Sequence, residues 1–319
     1  MPARCVTLFD GRPTDALSCV FAITKRERNR FVSRQSALLN VYRRCVQLAV
    51  GSGLNRVPPV RAAHQFMLRR LRPESVEVFG QTLYLDTQDS LNLSIHGIHE
   101  PDETRLIQDR VSEGDVALDL GAHIGYFTLL LAQTVGPGGS VFAFEPHPDN
   151  AALLKRSVDA NHLEHVVIEE AAVAGESGNV ALSLSRDGSV DHRILPGMTE
   201  RPPRTVQAWA LDDYFTEPQR VDFIKMDLQG AEGLALKGMH RLIGQQDRLT
   251  LMTEFEPWGL EQAGTGAHAY LTSLAGLGFV IYDLNGPSGL ETPVDPDGLA
   301  AAYPPIKDRF TNLLCVKSA

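Results

Sequence analysis

The segment at positions 116–128, VALDLGAHIGYFT, constrains the fold of this chain more than any other. Its first residues are apolar and predict a buried strand, and Asp119 lies near the end of that strand. Gly121 and Gly125 follow four residues apart, and they allow a sharp turn and a close approach of the backbone to a ligand. The apolar residues after Gly125 predict a helix. This order is typical of the first half of a nucleoside-binding βαβ unit.

The second half of the unit is a predicted strand, Val141–Phe144, that ends at Glu145. A carboxylate there can accept hydrogen bonds from both ribose hydroxyls of a nucleoside. A dinucleotide site needs G-x-G-x-x-G because a pyrophosphate lies at the helix N-terminus, but here Asp119 replaces the first glycine and would repel it. The pattern favours a cationic or zwitterionic nucleoside, and S-adenosylmethionine (SAM) carries an ammonium and a sulfonium. The alternative is an ordinary βαβ unit with turn glycines and solvated acids.

Alternating strand and helix patterns predict an α/β fold with a doubly wound, mostly parallel sheet of seven strands. A Pro/Gly-rich connection at 285–305 indicates that the last two strands form a closing antiparallel pair. Segment 186–204 predicts a surface loop near the ligand crevice. Further strands are predicted at Val166–Glu169, Val180–Leu184, Phe223–Met226, Leu249–Phe255, Phe279–Leu284 and Thr311–Val316, and helices at Asp102–Val111, Asn150–Asn161, Gly230–Leu242 and Ala267–Leu277.

Residues 1–75 form a predicted basic helical N-terminal extension, with helices at Lys25–Val50 and Ala62–Leu71, and residues 76–319 form the main domain. The extension holds 14 Lys and Arg against 4 Asp and Glu, whereas the remainder holds 16 against 35. One explanation is a basic arm packed on its own acidic domain. The other is a docking surface for an acidic carrier domain or for the second subunit of a homodimer.

Composition argues against several classes of protein. The apolar runs are shorter than the ~20 residues needed to cross a bilayer, so no membrane span is expected. Residues 1–25 lack a continuous apolar core, which argues against a secretory signal. The four cysteines form no C-x-x-C pair, so no zinc knuckle or disulfide framework is indicated, and a reducing cytoplasm fits. The acidic main domain argues against nucleic acid as substrate, because phosphates would be repelled.

The motifs of this chain resemble those of the FkbM-type SAM-dependent methyltransferases. The first motif of that family, D-x-G-A-N-x-G-x-x-[ST], is matched by DLGAHIGYFT at 119–128. Its most distinctive block, D-x-I-K-[IM]-D-x-[ED]-G-x-E, is matched by DFIKMDLQGAE at 222–232. Shorter matches are GIHEP at 97–101, FEP at 144–146, AVA at 172–174 and LKG at 236–238.

The resemblance implies a Rossmann-like Class I methyltransferase fold, with SAM as cofactor and S-adenosyl-L-homocysteine as product. The implied acceptor is a hydroxyl of a sugar, polyketide or other natural-product scaffold, either as a small molecule or tethered to a carrier. O-methylation is therefore expected, and N-methylation of a natural-product or peptide acceptor is the alternative. The residues expected to bind the cofactor are His99, Glu100, Asp119, Gly121, Ala122, His123, Gly125, Tyr126, Glu145, Pro146, Ala172 and Asp227.

The candidate catalytic residues are Asp227, Lys225, Glu254 and His192. An alcohol acceptor must lose a proton, and Asp227 ends a strand at the edge where the crevice opens, so it is the expected base or acceptor-binding group. Its alternative role is to cap the helix at Gly230. Lys225 shares the strand face of Asp227 and could pair with it or hold a substrate oxygen. Glu254 could reach the crevice or be solvated, and His192 could contact the acceptor or only solvent.

Two departures from the family pattern bear on mechanism. His123 replaces the usual Asn and could still offer a hydrogen bond. Gln229 replaces the usual acid, which argues against a metal bound through that side chain, so no metal ligands are expected. Glu232 opens the helix, where the helix dipole alone favours an acid. The rival functions are a nicotinamide-dependent oxidoreductase, against which Asp119 argues, and a SAM-fold binding or scaffold protein without catalysis, which Gln229 favours.

Overall fold

The computed structural model describes residues 72–183, 203–286 and 289–318, together with isolated positions between 42 and 66. Within this part of the chain the strands are β1 (Ser75–Val78), β2 (Gln81–Tyr84), β3 (Val116–Leu120), β4 (Ser140–Phe144), β5 (Val166–Glu169), β6 (Ala172–Val173), β7 (Gly178–Leu182), β8 (Arg204–Trp209), β9 (Phe223–Met226), β10 (Leu249–Phe255), β11 (Val280–Asp283) and β12 (Thr311–Lys317).

Seven of these strands form the central sheet, in the order β11-β12-β10-β9-β3-β4-β5. The pairs from β10 to β5 are parallel, whereas β12 runs antiparallel to both β10 and β11. The chain winds outward from β3 to β5 and then returns to β9 on the other side of β3. The carboxyl ends of β3 and β9 therefore flank the point where ligands bind in such sheets. The predicted α/β fold with a seven-stranded, mostly parallel sheet is confirmed.

The central sheet has a hydrophobic core on each face. Side chains alternate along a strand, so Leu118 and Ile224 belong to one core, while Ala117 and Phe223 belong to the other. Helices cover both faces, as a doubly wound sheet requires. They are α1 (Leu93–His96), α2 (Pro101–Arg110), α3 (Tyr126–Val135), α4 (Pro148–Ala160), α5 (Leu211–Tyr214), α6 (Glu232–Lys237), α7 (His240–Gly244), α8 (Pro257–Gln262), α9 (Ala267–Gly276) and α10 (Pro296–Ala302).

The prediction of one helix over Gly230–Leu242 is wrong, because this segment forms the two short helices α6 and α7. A Cβ atom on Gly238, between them, would overlap the carbonyl oxygen of Ala174, so the chain passes close to its neighbour there. The carboxylate of Asp212 then accepts the main-chain N–H groups of Arg241 and Leu242, each at 2.8 Å. A side chain that satisfies free N–H groups in this way favours a new helix start.

A second sheet of three strands, in the order β6-β8-β7, lies apart from the central one. The predicted strand Val180–Leu184 corresponds to β7 in this small sheet. β8 is absent from the prediction, although Val206 and Ala208 are buried and alternate with exposed neighbours. Such period-two alternation is the usual sequence signal of a half-buried strand.

The start of the main domain is tied to α4 by the hairpin of β1 and β2. The N–H of Thr82 donates to Oδ1 of Asn161 at 2.8 Å, and the N–H of Tyr84 donates to Oγ of Ser157 at 3.0 Å. In the extension, Tyr42 and Val46 pack against Ile95 in α1. The rest of the two predicted extension helices lies outside the described residues. Among the helices that are described, none has the length and apolar character needed to cross a bilayer.

Candidate functional site

A cavity of about 300 Å³ opens at the carboxyl edge of the central sheet, around the ends of β3, β4, β9 and β10. This is the edge at which the topology predicts ligand binding. Its described lining is formed by Leu91, His99, Glu100, Gly121, Ala122, His123, Tyr126, Phe127, Glu145, Pro146, Asn150, Ala172, Leu182, Lys225, Asp227, Leu228, Gln229, Glu254, Glu256, Asp308 and Phe310. Ten of the twelve residues expected to bind the cofactor are among them.

Glu145 ends β4 on one side of the cavity, which we call the nucleoside side (the loop 121–125 and Glu145). Its Oε2 accepts the main-chain N–H of His123 and its Oε1 accepts that of His147, both at 2.8 Å. Burial raises the pKa of Glu145 to about 7, against the hydrogen bonds that lower it. Each carboxylate oxygen can accept more than one hydrogen bond, so the pair can still receive two ribose hydroxyls.

The loop between β3 and α3 is shaped by Gly121. This residue has φ +85°, and a Cβ there would overlap the main-chain oxygen of Asp227 at the end of β9. Its N–H donates to the carbonyl of Phe144 at 3.0 Å, which holds the loop against β4. His123, with φ 52°, also lies in the left-handed region. Asn and His both tolerate that conformation better than most residues, which accounts for the exchange of the family's Asn for His.

Asp119 and Gly125, also expected to bind the cofactor, do not line the cavity. Asp119 is 1% exposed, and its Oδ2 accepts the hydroxyl of Thr128 at 2.6 Å. Burial raises its pKa, and the nearby Lys225 opposes the rise. A Cβ on Gly125 would lie 2.5 Å from Leu154, so close helix packing accounts for this glycine. In the structure Asp119 and Gly125 hold the loop between β3 and α3 in position without lining the cavity.

His99 and Glu100, which precede α2, form another wall of the cavity. The N–H of His99 donates to the hydroxyl of Tyr126 at 3.2 Å, and the two rings meet edge to face. Burial lowers the pKa of His99 to about 4, so its imidazole is neutral near pH 7. Burial likewise raises the pKa of Glu100 to about 7. Glu100 adopts φ 42°, and such backbone strain is concentrated at functional sites.

The opposite side of the cavity, which we call the acceptor side, is built on Lys225, Asp227, Gln229 and Glu254. Nζ of Lys225 donates to Oδ2 of Asp227 at 3.2 Å, so the predicted pairing on one strand face is observed. Burial alone would raise the pKa of Asp227, but the ammonium of Lys225 and the bond from Gln229 hold it below its usual value. Burial would lower the pKa of Lys225, but the carboxylates of Asp227, Glu100 and Asp119 together raise it above its usual value.

Gln229 connects the two acidic residues of the acceptor side. Its Nε2 donates to Oδ1 of Asp227 at 3.0 Å and approaches Oε2 of Glu254 at 3.5 Å. Burial, followed by the charge of Asp227, raises the pKa of Glu254 well above its usual value. Gln229 has φ 54°, and Oε1 of Glu232 holds this loop by accepting the N–H groups of Leu228 and Gly230.

The charge of the cavity suits a cationic nucleoside. Six carboxylates are present in the described lining, at Glu100, Glu145, Asp227, Glu254, Glu256 and Asp308, and Lys225 is the single lysine or arginine there. Clustered carboxylates repel one another in a site of low dielectric, and a ligand with positive charge relieves that repulsion. The donor set and the charge therefore fit SAM.

Sequence reasoning did not single out Asp308 and Phe310, although both line the cavity. Asp308 and Phe310 precede β12, which runs antiparallel to β10, so the start of β12 lies at the carboxyl edge of the parallel strands. The sequence did give an indication of this position, because it predicted that the last two strands form an antiparallel pair. His192, a candidate catalytic residue, lies outside the described residues.

Comparison with known families identifies the class of enzyme that this fold and cavity define. The family model "Methyltransferase FkbM domain" matches residues 119–281, which is just over half of the chain. The molecule is accordingly a SAM-dependent methyltransferase. The chain belongs to the FkbM methyltransferase family, and SAM is its cofactor. A search of curated proteins found no match.

The solved structures to which this chain is similar have low sequence identity to it. A SAM-dependent O-methyltransferase of Thermotoga maritima is 16% identical, with 77% of this chain and 78% of that chain covered and a TM-score of 0.40. Precorrin-6y C5,15-methyltransferase of Geobacter metallireducens is 11% identical, with 69% and 88% covered and a TM-score of 0.39. Fibrillarin of Aeropyrum pernix, solved with bound SAM, is 13% identical, with 67% and 73% covered and a TM-score of 0.38. The assignment to the FkbM family therefore rests on the family model and not on these structures.

Proposed function

We propose that this enzyme transfers the methyl group of SAM to a hydroxyl of a sugar, polyketide or other natural-product scaffold. The observation that supports this most is the position of Asp227, which lies on the cavity and is paired with Lys225 at 3.2 Å. A carboxylate that remains ionised next to the proposed cofactor position can orient a hydroxyl and accept its proton. This combination suits an acceptor that must be deprotonated as it reacts.

The proposed mechanism relies mainly on positioning. SAM supplies an activated methyl group on a sulfonium, and the reaction is an in-line displacement, so alignment of the acceptor accounts for much of the catalysis. In our proposal Asp227 accepts a hydrogen bond from the acceptor hydroxyl through a carboxylate oxygen and takes its proton as the new bond forms. Lys225 keeps Asp227 ionised, and Gln229 fixes the direction of the Asp227 carboxylate. Glu254 lies beside this pair, with its Oε2 3.5 Å from Nε2 of Gln229.

We assign the nucleoside part of the cofactor to the nucleoside side of the cavity. Glu145 would accept the ribose hydroxyls, while Gly121, Ala122 and His123 would pass beneath the cofactor. The remaining cofactor contacts are proposed for His99, Glu100, Tyr126, Pro146, Ala172 and Asp227, with Asp119 and Gly125 acting through the loop that they support.

Labelled SAM tests the proposed reaction. Candidate alcohols, amino sugars and peptides would be incubated with the enzyme and methyl-labelled SAM, and the products would be analysed by mass spectrometry for the gain of one methyl group. A labelled ether in the wild-type reaction, at least about 100-fold reduced in Asp227→Asn, is the expected result. Label found only on nitrogen, or turnover that Asp227→Asn leaves unchanged, would contradict the proposal.

N-methylation remains the second candidate, because the acceptor side is acidic. Glu254 and Glu256 line the cavity near Asp227, and they would attract a protonated amine. An amine must lose a proton before it can attack the methyl group, and Asp227 could take that proton as well. The same labelling experiment separates the two reactions by the position of the new methyl group.

We further propose that the basic extension, residues 1–75, packs on its own domain or on the second subunit of a homodimer. The packing of Tyr42 and Val46 against Ile95 supports the first arrangement. Deletion of residues 1–71 should then lower the melting temperature of a monomer at any salt concentration. If the extension packs on a second subunit, or binds an acidic carrier instead, the deletion should change the mass in solution or the activity on a tethered acceptor. Those effects should weaken with salt, because exposed charges are screened within about 10 Å at 0.1 M.

We also propose that the acceptor is a small molecule or is tethered to a carrier. The enzyme is proposed to act in the cytoplasm. Cys315 is a buried free thiol, which fits a reducing compartment. The six acidic groups on the cavity disfavour a polyphosphate or nucleic-acid substrate, because its phosphates would be repelled.

A further inference from the structure

Three carboxylates from different elements converge at the base of the acceptor side. Asp227 follows β9, Glu254 lies in β10, and Glu232 opens α6. Each offers one carboxylate oxygen, and these three oxygens all lie within 4.8 Å of one another. Lys225 is paired with Asp227, but it bonds to Oδ2, whereas Oδ1 faces Gln229.

The environment of the Glu232 carboxylate is a second and independent observation at this place. It is 0% exposed, and its Oε1 accepts two main-chain N–H groups, at 2.8 and 3.2 Å. Its other oxygen, Oε2, is buried and has no hydrogen-bond partner among the described residues. A buried carboxylate oxygen without a partner is costly and requires an explanation, and a bound ion is one that also accounts for the neighbouring carboxylates.

We propose that Asp227, Glu232 and Glu254 bind one hard divalent cation, such as Mg²⁺, Mn²⁺ or Ca²⁺. These cations take oxygen ligands, and the cluster offers carboxylate oxygens without a thiolate or imidazole. The cation balances buried negative charge and supplies the missing partner of Glu232 Oε2.

Gln229 is compatible with this cation site. Its side-chain nitrogen approaches both Asp227 and Glu254, at 3.0 and 3.5 Å. In the cation-bound form a half-turn of the amide would place its oxygen in the same position, and amide oxygens are ordinary ligands of hard cations. The cation would then hold the Asp227 carboxylate in place of the hydrogen bond from Gln229. The replacement of the family's usual acid by Gln229 therefore removes one charge but keeps an oxygen ligand.

The cation would act on the acceptor, because Asp227 and Glu254 line the cavity while Glu232 is buried behind them. A cation held by all three carboxylates would lie beside the oxygen that Asp227 orients, and it would lower the pKa of that hydroxyl. This role rests on the proposed function, whereas binding of the cation does not.

Binding of Mn²⁺ to the full chain, without SAM or acceptor, tests the site directly. Electron paramagnetic resonance measures free Mn²⁺, and we expect one bound ion per chain with a Kd below about 1 mM. Glu232→Gln and Glu254→Gln should each weaken binding at least about tenfold, since each removes a ligand charge. Glu261→Gln, an exposed acid on α8, is the matched control and should bind as the wild type does. Mg²⁺ and Ca²⁺ should displace the bound Mn²⁺.

Two results would overturn the site. One is the absence of bound Mn²⁺ at 1 mM (about the weakest affinity of natural calcium sites). The other is Mn²⁺ binding that both Glu232→Gln and Glu254→Gln leave unchanged, which would place the ion elsewhere. Glu254→Gln keeps the test valid if Glu232→Gln unfolds, because Glu254 holds no main-chain group in the described hydrogen bonds. Methyl transfer is measured separately, so failure of either proposal leaves the other intact.

Discussion

The nucleoside side and the acceptor side of the cavity are built in different ways. The nucleoside side takes its main groups from one βαβ unit, and main-chain N–H groups fix the Glu145 carboxylate at 2.8 Å. The acceptor side gathers Asp227, Glu254 and Phe310 from segments far apart in the sequence. Its polar atoms are held mainly by other side chains, as the bonds of Asp227 to Lys225 and Gln229 show.

This difference indicates that the two sides should respond separately to substitution. Substitutions on the nucleoside side, which the main chain fixes, should lower the affinity of the enzyme for its cofactor. Substitutions on the acceptor side, which side chains fix, should lower turnover. The two sides meet where Gly121 lies against the main-chain oxygen of Asp227. A substitution there should damage both.

Gly121→Ala is expected to have the largest effect, because the new Cβ would overlap the Asp227 carbonyl. Displacement of two backbone segments, added to the left-handed φ, should lower the free energy of unfolding by more than about 3 kcal/mol and abolish detectable SAM binding. Gly80→Ala is the matched control, since Gly80 has φ +75° but nothing within 4 Å of the added Cβ. Chemical denaturation and calorimetry measure the two quantities. Equal losses in both variants would show that backbone strain, and not the contact, is responsible.

Asp227→Asn should come next, with a loss of about 100-fold or more in kcat and nearly unchanged SAM affinity. The substitution keeps the shape of the side chain and removes the charge that orients the acceptor. Steady-state kinetics with a methylated product and calorimetry with SAM provide the two values. A fall in SAM affinity as large as the fall in kcat would mean that Asp227 acts mainly on the cofactor and not on the acceptor.

Glu145→Gln should produce the reverse pattern. Loss of charged hydrogen bonds to the ribose, worth about 1.5–3 kcal/mol, should weaken SAM binding at least about tenfold. At saturating SAM, kcat should remain within a few-fold of the wild-type value. Calorimetry and kinetics on the same preparation check this, and a selective loss of kcat would remove the distinction between the two sides.

The pH dependence should be the smallest effect. Burial raises the pKa of Glu145 to about 7 from 4.5, so lowering the pH from about 8 to about 6 protonates it and should weaken SAM binding by at most about tenfold. Stability should move in the opposite direction. A carboxyl whose folded pKa lies above its unfolded value stabilises the fold below pH 4.5, and this contribution is lost as the pH rises through 7.

Glu145→Gln is the control for the pH experiment. It should flatten the binding curve, but it should flatten the stability curve only in part, because Glu100 and Glu232 also have their pKa raised to about 7 by burial. A binding curve that keeps its slope in this variant would assign the titration to another group.

The sequence predicted the fold and the placement of the loop 121–125 and Glu145 at the carboxyl edge of the sheet, because these signals are local. The glycine turn after β3 and the acid after β4 lie within one unit, and short-range patterns suffice to recognise it. The break at Gly238 was missed because its cause, the close approach of Ala174, is a contact between distant segments. Such contacts produce no periodic pattern in the sequence.

The acceptor side was predicted only in part, for the same reason. Asp227 and Lys225 were found from one strand, and Glu254 from the end of another. Phe310 is 51% exposed and follows a Pro/Gly-rich connection without a motif, so only the strand order places it on the cavity.

The position of β12 has a consequence for how the enzyme forms during synthesis. β12 lies between β10 and β11, yet it is the last of these strands to leave the ribosome. Until residues 311–317 emerge, the edges of β10 and β11 that face each other across the gap have no partner, and unpaired edges are prone to aggregate. The strands around the nucleoside side are made much earlier. A nascent chain can therefore complete the nucleoside side of the cavity well before Asp308 and Phe310 take their places on its lining.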